Sequence, residues 1–325
     1  MNTSTKRFLT RLYLYNRIIV KIIILPIISA GYNSLHAKPL ESYLDKQLNR
    51  NIFSNDAEIQ TRLIRLDPFI IKFVSSVPKT SPSKTLMIPW LMIHGLGGSL
   101  KDFENLIKIA KRNHHILAID LPGFGGSIGF ENQYSFADYS DVIYRFLEAG
   151  HHKKVHLICH SLGAQTCIIF SLQNLYLVKS LTLIDAAGSY NKEQYIKSLL
   201  EHHANINIGK ILNGEYSKIS DLNWISNDFI KTMITDNPIF MLIIESFRYN
   251  IRKSVKRLKV PVHIIWGEED PIFDVNSAFH LKENIYGSTL HILRKGGHSP
   301  HISNPDIVYQ WISNFNHNMD RKPDA

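Results

Sequence analysis

Residues 155–164 read Val155-His156-Leu157-Ile158-Cys159-His160-Ser161-Leu162-Gly163-Ala164. The apolar run from Val155 to Cys159 is typical of a buried strand in a parallel sheet. A second apolar run of helix-compatible residues, from Ala164 to Leu172, follows at once. Ser161 stands between the two runs, with small residues, Cys159 and Gly163, two positions to either side. This spacing predicts a nucleophile elbow, a sharp and strained strand-to-helix turn that lifts a serine hydroxyl above the sheet edge.

The composition is that of a globular protein. The chain has 325 residues, 44% of them hydrophobic and 20% charged, which suits one large α/β domain or two ordinary ones. We interpret the net charge of +9 as a lysine-rich solvated surface, with an anionic partner such as lipid headgroups as the alternative. No zinc-finger, RNA-recognition or basic-zipper pattern occurs, so nucleic acid is not a predicted partner. Cys159 and Cys167 are too few for a disulfide framework and are predicted to be buried, unpaired thiols.

Residues 1–30 resemble a targeting segment. Basic residues at the start are followed by an apolar stretch from Ile18 to Ala30, which Lys21 interrupts. A membrane-spanning helix needs about 20 apolar residues, and a central lysine opposes insertion. We therefore predict a signal peptide, with small residues for cleavage at Ser29-Ala30-Gly31 or at His36-Ala37, or an uncleaved N-terminal anchor. Either would make the protein exported (periplasmic or secreted) or tethered, and the sequence disfavours a cytoplasmic location. A basic amphipathic surface segment is the third alternative.

The rest of the chain divides by pattern. Residues 31–59 are predicted to be an N-terminal extension with a short amphipathic helix, and residues 60–318 a domain with alternating strands and helices. Such alternation predicts an α/β fold with a mostly parallel, doubly wound sheet. Residues 189–259 have helical patterns and no clear strand, and we predict a helical cap over the carboxyl edge of the sheet. Residues 319–325 are assigned to a tail. The predicted strands are 61–66, 69–74, 87–93, 115–120, 155–159, 180–184, 262–266 and 289–293, and the predicted helices are 100–112, 136–147, 164–172, 276–283 and 305–315.

Three segments at strand ends carry a consistent chemistry. A serine hydroxyl becomes a useful nucleophile when a positioned histidine accepts its proton, and a carboxylate orients that histidine. In this fold class the chain order is serine, acid, histidine, each just past the carboxyl end of a strand. Ser161 follows one strand, Asp270 the next-to-last and His298 the last. These three are the predicted catalytic residues.

The tetrahedral intermediate of acyl transfer needs preset donors for its negative oxygen. The backbone N–H of Leu162 can serve where the elbow helix begins. The backbone N–H of Leu96, after His94-Gly95, is the predicted second donor. These two amides are the predicted oxyanion hole.

Other polar residues compete for roles at the same edge. Asp185 also ends a strand and is the alternative acid. His301 lies three residues past His298 and is interpreted as a substrate contact or as a residue without a role. His160 is predicted to project away from the serine hydroxyl in a structural role. His94 and Asp120 are predicted to brace their loops.

Residues from about 60 to 315 resemble the α/β-hydrolase superfamily, and within it bacterial lipases and esterases with a helical lid. The pieces that carry the resemblance are His94-Gly95-Leu96-Gly97-Gly98, Asp120-Leu121-Pro122-Gly123-Phe124-Gly125, His160-Ser161-Leu162-Gly163, Leu183-Ile184-Asp185-Ala186-Ala187-Gly188, Trp266-Gly267-Glu268-Glu269-Asp270 and Gly297-His298. The chain departs from the family pattern at Cys159 and Ala164, where glycines are usual.

The resemblance implies hydrolysis without a metal or an organic cofactor. The expected function is that of a serine hydrolase of carboxylic esters, with a small-molecule or lipid ester as substrate. The alternatives are a carbon–carbon bond hydrolase or an amidase with the same triad, or a non-catalytic binding protein on this fold. The apolar run 239–244 is interpreted as an acyl pocket or as the core of the cap. Basic residues between 248 and 259 are interpreted as a solvated face or as a surface for anionic lipid, so membrane-surface association stays open.

Overall fold

We describe a computed structural model of the chain. It describes residue 56 and residues 58–76, 87–129, 134–189 and 251–322. The predicted targeting segment 1–30, the predicted short helix after it and most of the predicted cap, residues 190–250, lie outside these ranges. No helix within the described ranges is both long and apolar enough to cross a membrane.

The described residues build an eight-stranded sheet with the strand order β1-β2-β4-β3-β5-β6-β7-β8. The first two strands form an antiparallel pair, and β2 also runs antiparallel to β4. From β4 onward every neighbouring pair is parallel. The predicted mostly parallel sheet is thus observed. The strands are β1 Gln60–Leu66, β2 Phe69–Ser76, β3 Trp90–Ile93, β4 Ile116–Ile119, β5 Val155–His160, β6 Val178–Ile184, β7 Val262–Gly267 and β8 Thr289–Leu293.

Helices cover both faces of the sheet. They are α1 Glu104–Ala110, α2 Phe136–Ala149, α3 Leu162–Gln173, α4 Asn276–Asn284, α5 Pro300–Ser303 and α6 Pro305–Asp320, with 3₁₀ turns at Leu100–Phe103, Leu175–Leu177 and Ser254–Arg257. Ser135 and Asp138 form a capping box that begins α2. Pro305 occupies the first turn of α6, where its missing N–H has no cost.

The central strand β5 is buried along its whole length. Because side chains alternate across a strand, Leu157 joins the core that contains α2, α3 and α4, whereas Ile158 joins the core that contains α1 and α6. Burying one such side chain contributes roughly 1.5–3 kcal/mol. The continuous apolar run at the elbow therefore results from burial on both faces, as in other parallel sheets.

Two of the predicted boundaries that differ from the structure have a clear physical reason. The third strand begins at Trp90 and not at residue 87, since Pro89 has no N–H to donate to a ladder. The last helix continues to Asp320, so the assignment of residues 319 and 320 to a tail is wrong. Met319 is buried, and the Asp320 carboxylate lies 3.0 Å from Nε2 of His156, and these contacts keep the helix intact.

The prediction of unpaired thiols is also wrong, because Cys159 and Cys167 form a disulfide. Cys159 lies near the end of β5 and Cys167 on α3, with Cα atoms 6.5 Å apart, within the usual range for a bridge. Both residues are fully buried. The disulfide therefore spans the elbow, joining the strand before Ser161 to the helix after it.

We expect Cys167→Ala to lower the free energy of unfolding by about 2–3 kcal/mol, because a short disulfide loop restricts the unfolded chain. Equilibrium urea unfolding with and without a thiol reductant measures this effect. The reductant should destabilise the wild type by a similar amount and leave the variant unaffected. Equal wild-type stabilities in both conditions would show that the thiols are not paired.

Candidate active site

The elbow has the geometry that its spacing predicts. Ser161 has a φ of 52° and a ψ of −117°, a conformation that non-glycine residues rarely adopt. Two of its backbone hydrogen bonds reach the end of β6 and the loop after it: its N–H donates to Ile184 O at 2.9 Å, and its carbonyl accepts from Ala187 N–H at 3.1 Å. The strain is therefore balanced by contacts with the end of β6.

Gly163 lets the elbow helix approach the neighbouring strand. A Cβ atom at this position would lie 2.3 Å from the carbonyl oxygen of His94 and 2.6 Å from that of Ile93. These are backbone atoms that cannot move aside as a flexible side chain would. A glycine is thus required two residues after the serine, whereas Cys159, two residues before it, uses its side chain for the disulfide.

A continuous chain of hydrogen bonds connects the three predicted catalytic side chains. Nε2 of His298 lies 3.0 Å from Oγ of Ser161. Nδ1 of the same imidazole lies 2.8 Å from Oδ2 of Asp270. The serine and the aspartate side chain are buried, and the histidine side chain is 16% exposed. The structure thus brings together three residues separated by up to 137 positions.

The acid is itself held in place. Oδ1 of Asp270 accepts the backbone N–H groups of Ile272 at 2.7 Å and Phe273 at 3.1 Å. The ring of Phe273 packs edge-on against the His298 imidazole, with centroids 5.4 Å apart. With these contacts the carboxylate accepts three hydrogen bonds, which fix its position opposite Nδ1 of His298.

Close backbone contact brings the acid loop to the histidine loop. A Cβ atom at Gly267 would lie 2.1 Å from the carbonyl oxygen of Gly297 and 2.5 Å from that of Gly296. Only a glycine at the end of β7 allows this approach. The Gly267 and Gly296-Gly297 motifs therefore set the distance between Asp270 and His298.

The predicted oxyanion donors lie on the two segments that flank the serine. Leu162 is the first residue of α3, so its N–H has no acceptor within the helix. Leu96 follows Gly95, whose Cβ position would be 3.1 Å from the Cβ of Ser161. The role of both amides in binding an oxyanion stays a prediction.

The histidines around the triad have structural contacts. His160 packs beside His298, and its Nε2 lies 2.8 Å from the backbone carbonyl of His298. Nε2 of His94 accepts the N–H of Leu121 at 3.0 Å, so His94 braces the loops as predicted. His301 is fully buried against Phe103 and His160, which makes it a core residue and not an exposed contact for substrate.

The two other acids at this edge are fully or almost fully buried. Asp120 accepts the N–H groups of Leu100 at 2.7 Å and Gly126 at 2.8 Å, so it anchors its loop as predicted. Burial raises the pKa of Asp120 to about 6, although these two hydrogen bonds act in the opposite direction. Asp185, the alternative acid, lies behind the Asp270–His298 pair, with its Oδ1 2.9 Å from the N–H of Gly267.

The buried histidines make stability depend on pH. Burial lowers the pKa of His94 to about 4 and the pKa values of His263 and His301 to about 3, from an ordinary value of 6.5. It also lowers the pKa of His160 well below that value. Below pH 6.5 these four groups bind protons in the unfolded chain but not in the folded one, so acid favours unfolding. Asp120 and Asp185, with raised pKa values, act in the opposite direction.

Burial also lowers the pKa values of five further histidines, His114, His115, His152, His280 and His291. Because the histidines outnumber the two acids, we expect the free energy of unfolding to fall by at least about 2 kcal/mol per pH unit below about pH 6. Urea unfolding at a series of pH values measures this slope. Stability is expected to be greatest near the unfolded histidine pKa of 6.5, because at higher pH the raised pKa of Asp185 acts in the opposite direction. A stability that is constant or rises on acidification would contradict this account of the buried histidines.

The parallel sheet, the strained serine between β5 and α3, and the aspartate and histidine after the last two strands are the features of the α/β-hydrolase fold. Comparisons with known proteins agree. Residues 89–202 match the family model described as the alpha/beta hydrolase fold. The chain is 27% identical over 263 residues to the monoacylglycerol lipase ABHD6 of Mus musculus, covering 71% of this chain and 77% of the mouse protein.

Two solved structures have the same fold. A putative lipase from Acinetobacter baumannii AYE superposes with a TM-score of 0.65 at 23% identity, covering 89% of this chain and 99% of the other. A membrane phospholipase A, described as a bacterial virulence factor, superposes with a TM-score of 0.66 at 17% identity. The superposition covers 98% of this chain and 100% of the phospholipase chain. The protein therefore has the α/β-hydrolase fold, and its similarity to a monoacylglycerol lipase supports a hydrolase that acts on esters.

Sequence reasoning missed two features of this site. The first is the contact between His160 and the His298 carbonyl, for which the only signal was the position of His160 next to the serine. The second is the closeness of Asp185 to Asp270, which the sequence presents as a choice between two acids. In the structure both carboxyl groups lie in one cluster with His298. One side-chain nitrogen or oxygen atom of each residue lies within 4.8 Å of those of the other two.

Proposed function

We propose that the protein hydrolyses carboxylic esters through an acyl-enzyme formed on Ser161. The observation that carries this proposal is the unbroken hydrogen-bond chain from Asp270 through His298 to the serine hydroxyl. Such a chain matches the requirement of acyl transfer for a nucleophile, a base and a group that orients the base. The similarity to a monoacylglycerol lipase supports the ester as the scissile group.

Each step in the proposed mechanism has a residue in place. Nε2 of His298 accepts the proton of Ser161 while Oγ attacks the ester carbonyl carbon and the carbonyl electrons move to oxygen. The resulting imidazolium, stabilised by Asp270, then protonates the leaving alcohol as the carbon–oxygen bond breaks. In the second half, His298 deprotonates water, which attacks the acyl-enzyme and releases the carboxylic acid and the free serine.

The backbone N–H groups of Leu96 and Leu162 would bind the oxyanion in both halves of the reaction. Loss of one such donor typically costs about 10²–10³ in rate. Because both donors belong to the main chain, they cannot be removed by changing a side chain. Their contribution depends on the elbow and on the loop after β3 keeping their positions.

A lipid ester is the substrate class that we favour. The names of the similar monoacylglycerol lipase and membrane phospholipase support it. The described chain also carries exposed basic residues at Lys253, Lys256, Arg257 and Lys259, which would attract an anionic lipid surface. Binding to vesicles of anionic lipid that is lost at high salt would support membrane-surface association, and no binding at low salt would exclude it.

We also propose that the protein is exported or tethered outside the cytoplasm. The basic and apolar pattern of residues 1–30 motivates this proposal. The Cys159–Cys167 disulfide supports it, because disulfides persist in oxidising compartments. The mass of the mature N-terminus decides between a cleaved signal and a retained anchor. Recovery of the protein in the cytoplasm alone would contradict both.

Hydrolysis of p-nitrophenyl acyl esters of graded chain length, beside an emulsified monoacylglycerol, tests the proposed function. We expect turnover of these esters by the wild type, and a preference for the emulsified lipid if the substrate is a lipid ester. If the enzyme cleaved only amides, or only substrates with a hydrolysable carbon–carbon bond, the same triad would carry out one of the alternative reactions. No turnover of any of them would favour a non-catalytic binding protein.

A further inference from the structure

One side-chain oxygen of Asp185 has no hydrogen-bond partner among the described residues. The residue is fully buried at the end of β6. Its Oδ1 accepts the Gly267 N–H at 2.9 Å, but its Oδ2 is buried with no donor to accept from. A buried carboxylate oxygen without a partner is strongly unfavourable, so it requires an explanation.

The titratable groups that face Asp185 among the described residues come from two loops. Asp270 follows β7 and His298 follows β8, and the three residues each offer an atom within 4.8 Å of the other two. Asp270 already accepts hydrogen bonds from His298, Ile272 and Phe273, whereas Asp185 accepts one, from Gly267. Two buried carboxyl groups this close do not ionise together.

We propose that Asp185 keeps its proton at neutral pH and donates it in a hydrogen bond to the carboxylate of Asp270. This assignment gives Oδ2 of Asp185 a partner and leaves a single negative charge behind the histidine. It makes Asp185 a positioning residue for the acid of the triad. The proposed role in catalysis, though not the protonation itself, rests on the proposed ester hydrolysis.

The electrostatics of the cluster agree with the geometry. Burial raises the pKa of Asp185 well above its usual range, and the charge of Asp270 and the hydrogen bond between the two carboxyl groups raise it further. The N–H of Gly267 acts in the opposite direction as a smaller effect than burial. All three causes that raise the pKa favour the neutral acid that can donate a hydrogen bond.

The backbone conformation of Asp185 also limits which residues can occupy this position. Its φ is 44°, in the left-handed region that aspartate and asparagine tolerate better than other non-glycine residues. Strain of this kind persists where the surrounding structure demands it. The Asp185→Asn substitution would therefore keep the backbone conformation, and its amide would accept from Gly267 and donate to Asp270 without ever being charged. The Asp185→Ala substitution would lose both hydrogen bonds.

The pH profile of kcat/KM for Asp185→Asn and Asp185→Ala tests the proposal. We expect Asp185→Ala to lose about 10–100-fold in kcat, the usual effect of one hydrogen bond to a charged group, and Asp185→Asn to restore most of it. The acidic limb, which reports the protonation of His298, should not move in Asp185→Asn because no charge is removed. If Asp185 were ionised, its removal would shift that limb down by about two pH units, and this result would overturn the proposal.

Infrared spectroscopy provides a readout that does not need turnover. At mildly alkaline pH, where Asp120 is ionised, the wild type should show the carbonyl stretch of a protonated carboxylic acid. The wild-type minus Asp185→Asn difference spectrum should contain that band, and circular dichroism should show the same fold for both. If the variant does not fold, the wild-type band alone decides. If the wild type shows no such band, the proposed protonation of Asp185 is overturned, even if the enzyme is active. If the band is present but no ester is turned over, the protonation of Asp185 stands and the proposed function is contradicted.

Discussion

Ser161→Ala should reduce kcat for ester hydrolysis by about 10⁶-fold, down to the level supplied by substrate binding and the oxyanion donors. The physical reason is that the Ser161 hydroxyl is the group that Nε2 of His298 contacts, at 3.0 Å. The substrate should still bind, so KM should change little. Steady-state and single-turnover kinetics on the p-nitrophenyl ester that the wild type cleaves fastest measure both quantities.

Ser171→Ala is the matched control for this change. Ser171 is also buried and lies on α3, but its hydroxyl donates to the carbonyl of Cys167 at 2.7 Å and makes no contact with the triad. Its removal should cost stability and leave kcat within a few-fold of the wild type. An organophosphorus ester should label the wild type and Ser171→Ala at Ser161, and should not label Ser161→Ala. Full turnover by Ser161→Ala would remove the proposed mechanism.

Asp270→Asn should lower kcat by about 10⁴-fold with little change in KM. The asparagine amide would donate to Nδ1 of His298, and the imidazole would then carry its proton on Nε2, facing the serine. In that tautomer it cannot accept the proton of the serine hydroxyl. The pH dependence of the residual activity, together with kcat and KM, measures the effect.

Asp274→Asn controls for a change of charge on the same loop. Asp274 is exposed and caps the backbone N–H of Asn276 at 2.7 Å, so its loss should leave kcat nearly unchanged. A mild effect of Asp270→Asn combined with a loss of several orders of magnitude in Asp185→Asn would transfer the role of acid to Asp185. That pair of results would also contradict the protonated state that we propose for Asp185.

Local sequence patterns were sufficient to predict the strands and helices that surround the elbow. A strand buried on both faces has a continuous apolar sequence, and β5, β6 and β7 were all recognisable for this reason. The topology rule that sites lie at the carboxyl ends of parallel strands then placed Ser161, Asp270 and His298 at one edge. The structure has them there and connects them by hydrogen bonds.

Sequence patterns gave wrong predictions where a contact between residues distant in the chain decides a residue's role, or where one residue has two functions. Cys159 reads as a small residue of the elbow, and nothing in the spacing shows that Cys167 turns toward it from α3. His301 reads as a polar residue near the site, yet it lies in the core against Phe103. Burial of this kind depends on helix packing, which a local sequence window does not contain.

By itself, the sequence determined the parallel α/β architecture and the order of serine, acid and histidine along the chain, because periodicity and strand-end position are properties of short segments. Only the tertiary structure decided which carboxyl group contacts His298, that the two cysteines pair, and that Asp185 lies in the same buried cluster as Asp270. Hydrogen bonds, disulfides and pKa values depend on distances of a few ångströms and on exclusion of water, and both arise only when the segments pack together.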